Sequence, residues 1–225
     1  MAQVMLRVVE DRLPGGADPV YLPRLNRALY VADGEVAVET ATACAHQAAG
    51  SAWLGDSEAA LVAGAGGARL LRWELALAKG GDDGRLRAAP KCSSEQKLSA
   101  ALDLPAGFQW LMRCDTVGFP KGGIAYTHVH QGPGIRVCLE GEITIETDGT
   151  TYRHGPGDAW FEAGPAPVLA PTSQEVETSF VRCFVLPRGC KGKSSIRYVR
   201  PEDAAKPKAQ RYRILAERFI ELPVN

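Results

Sequence analysis

The chain has 225 residues, with 26 basic and 26 acidic side chains and no formal net charge. That length admits one large or two small domains, each able to bury a core, and the balanced charge leaves no footprint for nucleic acid or an anionic membrane surface. No apolar run reaches membrane-span length, and Arg7, Glu10 and Asp11 stand close together where a secretory signal needs apolar residues. Six cysteines (Cys44, Cys92, Cys114, Cys138, Cys183 and Cys190) form no C-x-x-C pair, so reduced thiols and a cytoplasmic location are expected.

Along the chain, apolar stretches of roughly four to eight residues alternate with Gly and Pro, the punctuation of an all-β protein. Helical periodicity is visible only over residues 93–102 and 211–219. The stretch Leu29-Tyr30-Val31-Ala32-Asp33-Gly34-Glu35-Val36 matches Arg136-Val137-Cys138-Leu139-Glu140-Gly141-Glu142-Ile143 at an offset of about 107, and Ala52-Trp53-Leu54 falls on Ala159-Trp160-Phe161 at the same offset. Leu70-Leu71-Arg72-Trp73 resembles Phe180-Val181-Arg182-Cys183 with a small shift. Three matches in order predict two copies of one β domain. The expected division is 1–85, with the turn Gly80-Gly81-Asp82-Asp83-Gly84 near its end, a linker over 86–104, then 105–200, and a packing segment over 201–225.

The chemistry is expected in Thr127-His128-Val129-His130, followed by Gln131-Gly132-Pro133-Gly134. Two His at i and i+2 share a face only on a strand, and neutral imidazole is a common metal ligand. With Gly122-Gly123 before the histidines, Gly141 after them, and Pro156-Gly157-Asp158-Ala159-Trp160-Phe161 further on, the chain resembles the cupin superfamily. The resemblance implies two tandem jelly-roll β-barrels with short helical linkers, a bicupin whose N-terminal copy is degenerate. It also implies a divalent transition metal (Fe(II), Mn, Zn or Ni), a small-molecule ligand and a homodimer. Two departures stand out: the motif Glu falls near Gly134 and the motif third His near Val168, neither of which can ligate.

Alternation along the strand puts Gly134, Arg136 and Cys138 inside with the histidines. A guanidinium there needs a carboxylate or an anionic ligand, and Glu162 is the candidate. Two readings follow. Glu162 is a third metal ligand beside His128 and His130, or it pairs with Arg136 beside a two-His site. On either, Arg136 and Glu162 are the candidate catalytic residues, Arg136 gripping an anionic substrate with its planar fork. In the N-terminal copy, His128, His130 and Glu162 map onto Tyr21, Pro23 and Gly55. That copy is therefore expected to be structural, with an interior of Val, Leu and Ala. Trp53 and Trp160 are expected as packing residues, His154 as an exposed loop residue, and Cys44 with His46 as a pair without a metal. Residues 191–195 are expected as a mobile basic turn, their Gly-Lys-Ser lacking the upstream Gly of a phosphate loop. The expected function is a metal-dependent bicupin acting on a small anionic organic molecule, by dioxygenase-like or isomerase-like chemistry. The alternative is a non-catalytic cupin that binds or senses such a molecule.

Overall fold

The computed structural model describes residues 3–77, 83–86 and 89–223, so Gly80, Gly81 and Asp82 of the expected turn lie outside the described residues. The chain divides into two compact units, Met1–Gln109 with Ile220–Asn225, and Trp110–Phe219. No helix among the described residues is long and apolar enough to cross a membrane.

The first unit holds β1 (Gln3–Leu13), β2 (Val20–Leu22), β3 (Asn26–Glu39), β4 (Cys44–Ala48), β5 (Ala52–Gly55), β6 (Ala59–Leu77) and β7 (Ser93–Asp103). The long strands β3 and β6 pair twice, Asn26 to Gly34 against Leu75 to Ala68, then, past a bulge, Val36 to Glu39 against Ala63 to Ala60. β5 and β1 flank the first stretch, and β4 and β2 the second. The segment expected as a linker is largely strand, because β7 pairs with β1 from Asp103 opposite Gln3 to Ser93 opposite Arg12. Weak helical periodicity there yields to a free strand edge that needs covering.

The second unit holds β8 (Trp110–Phe119), β9 (Ile124–His130), β10 (Gly134–Glu140), β11 (Ile143–Thr147), β12 (Thr150–His154), β13 (Ala159–Glu162), β14 (Val168–Pro171), β15 (Thr178–Pro187), β16 (Ile196–Tyr198), the short helix α1 (Pro201–Ala205) and β17 (Arg211–Ile220). One sheet runs β13-β10-β15-β8-β17, the other β12-β11-β14-β9-β16. The chain crosses repeatedly between them, which is the strand order of a double-sheet jelly roll. Val117, Phe119, Trp160 and Phe180 of one sheet pack against Ala125, Ile143, Ile145 and Ala170 of the other. Where closed barrels were expected, no sheet among the described residues closes on itself. The helix expected over residues 211–219 is instead β17, at the edge beside β8.

Equivalent turns in the two units share their hydrogen bonds. Gly50 N donates to Val31 O and Val31 N to Ser51 O, as Gly157 N donates to Cys138 O and Cys138 N to Asp158 O. Gly34 and Gly141 hold φ of 72° and 71°, the left-handed region a side chain resists. The offset slips before β3. Val20 lies opposite Leu61 as His128 lies opposite Val168, so the inward equivalents of the histidines are Val20 and Leu22. Tyr21 points outward, 79% exposed.

The interior of the first unit is not purely aliphatic. Arg7, Asp11, Arg27, Arg72 and Glu74 are buried on the strand faces that carry Leu13, Leu29, Val31 and Leu70. Glu74 meets Arg7 at 2.7 Å, Arg72 at 2.7 Å and Arg27 at 3.3 Å. Burial alone would raise its pKa, but the three guanidiniums outweigh that and hold it below the ordinary carboxylate range. Charges in this interior are tolerable only because they are matched. Glu74→Ala is therefore expected to cost about 3–5 kcal/mol in urea unfolding; a loss below about 1 kcal/mol would contradict that role for Glu74.

Candidate functional site

β9 places His128 and His130 on one face, 5% and 4% exposed. Their Nε2 atoms lie 3.2 Å apart. His128 Nδ1 lies 2.7 Å from Tyr126 O, so it carries the proton and leaves Nε2 as a lone pair. His130 Nδ1 lies 3.2 Å from Ser195 Oγ. β16 brings Ser195 and Tyr198 alongside by pairing Ile196 with His130 and Tyr198 with His128. The turn before it is fastened rather than mobile: Lys193 O accepts from Arg113, and Gly192 N donates to Glu217.

β10 and β13 pair with Gly134 opposite Glu162 and Arg136 opposite Trp160. Glu162 Oε1 accepts from Trp160 Nε1 at 2.9 Å. Oε2 sits 2.7 Å from Arg136 Nη2, yet no N–H points at it, so neither atom has a hydrogen-bond partner. The contact is coulombic. Arg136 also packs over the Phe184 ring, 4.6 Å from its centroid. Burial pushes the Arg136 pKa down to about 10, against the pull of Glu162. At Gly134, a Cβ would lie 2.7 Å from Phe184. That ring fills the place a Glu side chain would need. Val168, at the expected third-His position, is buried in the apolar core.

A cavity with about 580 Å³ of free space, its open mouth included, lies between the two sheets. Val117, Phe119, Ile143, Ile145 and Phe180 make its apolar wall, and His128, His130, Glu162, Arg182 and Gln210 its polar one. Arg136 does not line it; Arg182 does. Arg182 Nε donates to Asp115 Oδ1 at 2.5 Å, and the guanidinium stacks 4.5 Å from the Phe184 centroid. Its two Nη atoms make no hydrogen bond among the described residues, so their donors are available to a ligand. Burial raises the Asp115 pKa, although Arg182 opposes the shift. The repeat displayed Arg182 in the sequence, but only the register of β15, opposite Arg136 and Asp115, shows that it faces inward.

The expected metal set is brought together without becoming a three-donor site. Nitrogens 3.2 Å apart could share one ion at bond lengths near 2.1 Å, and Glu162 Oε2 is 3.6 Å from His130 Nε2. However, that oxygen is engaged by Arg136. Among the described residues no three His, Cys, Asp or Glu side chains form a group able to hold a metal, so the residues present do not fit the metal implied by the resemblance.

The remaining candidates fall elsewhere. Trp160 is more than packing, because it anchors Glu162 and stacks on His154 with ring centroids 4.8 Å apart. His154 thus ends a strand under partial cover, not in an open loop. Cys44 and His46 are exposed on β4, 3.7 Å apart. The loop after the histidines is pressed on β15, where a Cβ at Gly132 would lie 2.2 Å from Val185 O.

Sequence comparison matches the chain to no family model and to no curated protein. Solved structures do match. A variant of oxalate decarboxylase from Bacillus subtilis superposes with a TM-score of 0.64 at 12% identity, covering 90% of this chain and 73% of its own. AerE from Microcystis aeruginosa gives 0.56 at 11%, covering 82% and 93%. A protein from Pseudomonas aeruginosa described as glyoxylate-induced gives 0.53 at 15%, covering 83% and 75%. The chain shares the fold of these proteins.

Burial is the main cause holding both histidines below the ordinary 6.5, and the neighbouring arginines push His130 further down. Below about pH 6.5 the unfolded chain then binds protons that the folded chain refuses, so stability is full above that pH and declines as pH falls. Lowering pH from about 7.5 to about 5.5 should depress the Tm of the wild type more than that of His128→Asn/His130→Asn. Parallel slopes would contradict neutral, buried histidines.

Proposed function

We propose that the second unit is a small-molecule site of cupin type, which binds a small carboxylate in its cavity without needing a metal ion. The observation that carries this is Arg182, whose Nη atoms are unpartnered among the described residues in a largely apolar cavity. In a site of low dielectric, a planar donor fork is a strong partner for a carboxylate. The name of the Bacillus subtilis neighbour gives a precedent for a small carboxylate on this fold. The matched turn hydrogen bonds of the two units support a bicupin reading, with the first copy as a structural partner. Arg136, not in the cavity wall, holds Glu162 in place rather than gripping the ligand.

A second reading, a metal-dependent enzyme, is favoured by one observation, the 3.2 Å spacing of the two Nε2 atoms. Elemental analysis separates the two. Below about a tenth of an equivalent of transition metal, with a chelator leaving Tm unchanged, fits the carboxylate-binding reading. Near one equivalent, lost in His128→Ala/His130→Ala, favours the enzyme.

Arg182→Met should weaken binding of a small monocarboxylate at least about tenfold by calorimetry, the scale of losing a charge-assisted hydrogen bond. Arg136→Met should have the smaller effect if the protein remains folded. Unchanged affinity in Arg182→Met would remove the basis of the proposal.

A further inference from the structure

We propose that the ligand of this cavity is a small hydroxy acid, with a carboxylate and a hydroxyl on one short skeleton whose remainder is apolar. This rests on the reading that Arg182 takes the carboxylate, and it is carried by what that reading leaves unused. Glu162 lines the same cavity, its side chain is 9% exposed, and its Oε2, in coulombic contact with Arg136, has no hydrogen-bond partner among the described residues. A buried acceptor without a donor is costly, and a carboxylate can only accept. A ligand in the cavity can supply the missing donor. A second buried acceptor, Gln210 Oε1, is also unpartnered in the cavity wall.

The donor could be a hydroxyl or an ammonium, and the local field decides between them. Arg136 Nη2 already stands 2.7 Å from Glu162 Oε2, and Arg182 faces the same space. Two guanidiniums beside this space disfavour a further cation there. An ammonium would add a positive charge to a space where Arg136 is already paired with Glu162 and Arg182 with Asp115. A hydroxyl satisfies Oε2 without charge. Val117, Phe119, Ile143, Ile145 and Phe180 offer an apolar wall for the rest of the molecule.

The test is calorimetry on the full chain with three probes of one shape: leucic acid, isocaproic acid, which lacks the hydroxyl, and leucine, which replaces it with an ammonium. Leucic acid is expected to bind at least about tenfold tighter than either of the others. In Arg136→Met/Glu162→Met, which removes both charges so that neither is left buried alone, the preference of leucic over isocaproic acid should fall to about twofold or less. Equal binding of the two acids by the wild type would overturn the hydroxy-acid assignment while leaving Arg182 as a carboxylate site. Tightest binding of leucine would overturn it in favour of an amino acid. If the double variant keeps the full preference, Glu162 is not the acceptor and the assignment fails. Binding of neither acid would overturn the carboxylate reading and the hydroxy-acid assignment with it.

Discussion

A guanidinium 1% exposed inside a jelly roll must have a carboxylate beside it, and for Arg136 that carboxylate is Glu162, at 2.7 Å. Much of the site follows from this contact. Glu162 faces Arg136, so the two histidines lack a third donor, and Trp160 fixes the other oxygen. Phe184 packs against Arg136 and closes on Gly134, where a Cβ would strike its ring. Gly134, Arg136, Glu162 and Phe184 thus form one packing arrangement. It occupies the space in which the resemblance would place a metal-binding Glu.

The two units treat an equivalent arginine differently. Arg72 lies opposite Leu29, as Arg182 lies opposite Arg136. In the first unit, Arg72 bonds Asp11 through Nε and Nη2, meets Glu74 at 2.7 Å through Nη1, and gives Nη2 also to Gly84 O. Its nitrogens are all engaged. In the second unit, Phe184 stands where the first has Glu74, on the strand position opposite Gly134 or Arg27 respectively. Among the described residues Arg182 keeps only the hydrogen bond to Asp115, made through Nε. Where the first unit has Glu74 and the second Phe184, the arginine passes from a closed ion cluster to a single carboxylate partner.

The strand-rich fold was legible because it rests on local features: short apolar runs and Gly at left-handed turns. The inward direction of Arg136 was legible from alternation, and its partner from the shortage of carboxylates nearby. What escaped depends on register and tertiary contact. Residues 93–103 and 211–220 have mixed patterns that neither period explains, and pairing with β1 and β8 decides them. The slip of one residue before β3 moved the mapped positions from Val20 and Leu22 to Tyr21 and Pro23, because a shift of one reverses the face. Ser195 and Arg182 reach the site through strand pairing, which no motif around His128 announces. The buried ions of the first unit were hidden because Arg7, Asp11 and Glu74 read locally as ordinary surface charges.

The most direct measurement is a calorimetric titration of a small monocarboxylate into the full chain, first with chelator present and then after reconstitution with Fe(II) or Mn(II). Saturable binding at one site, equally tight in both conditions and lost when Arg182 is replaced, is expected if the guanidinium is the anchor. Binding that appears only with the metal and survives the loss of Arg182 would contradict it.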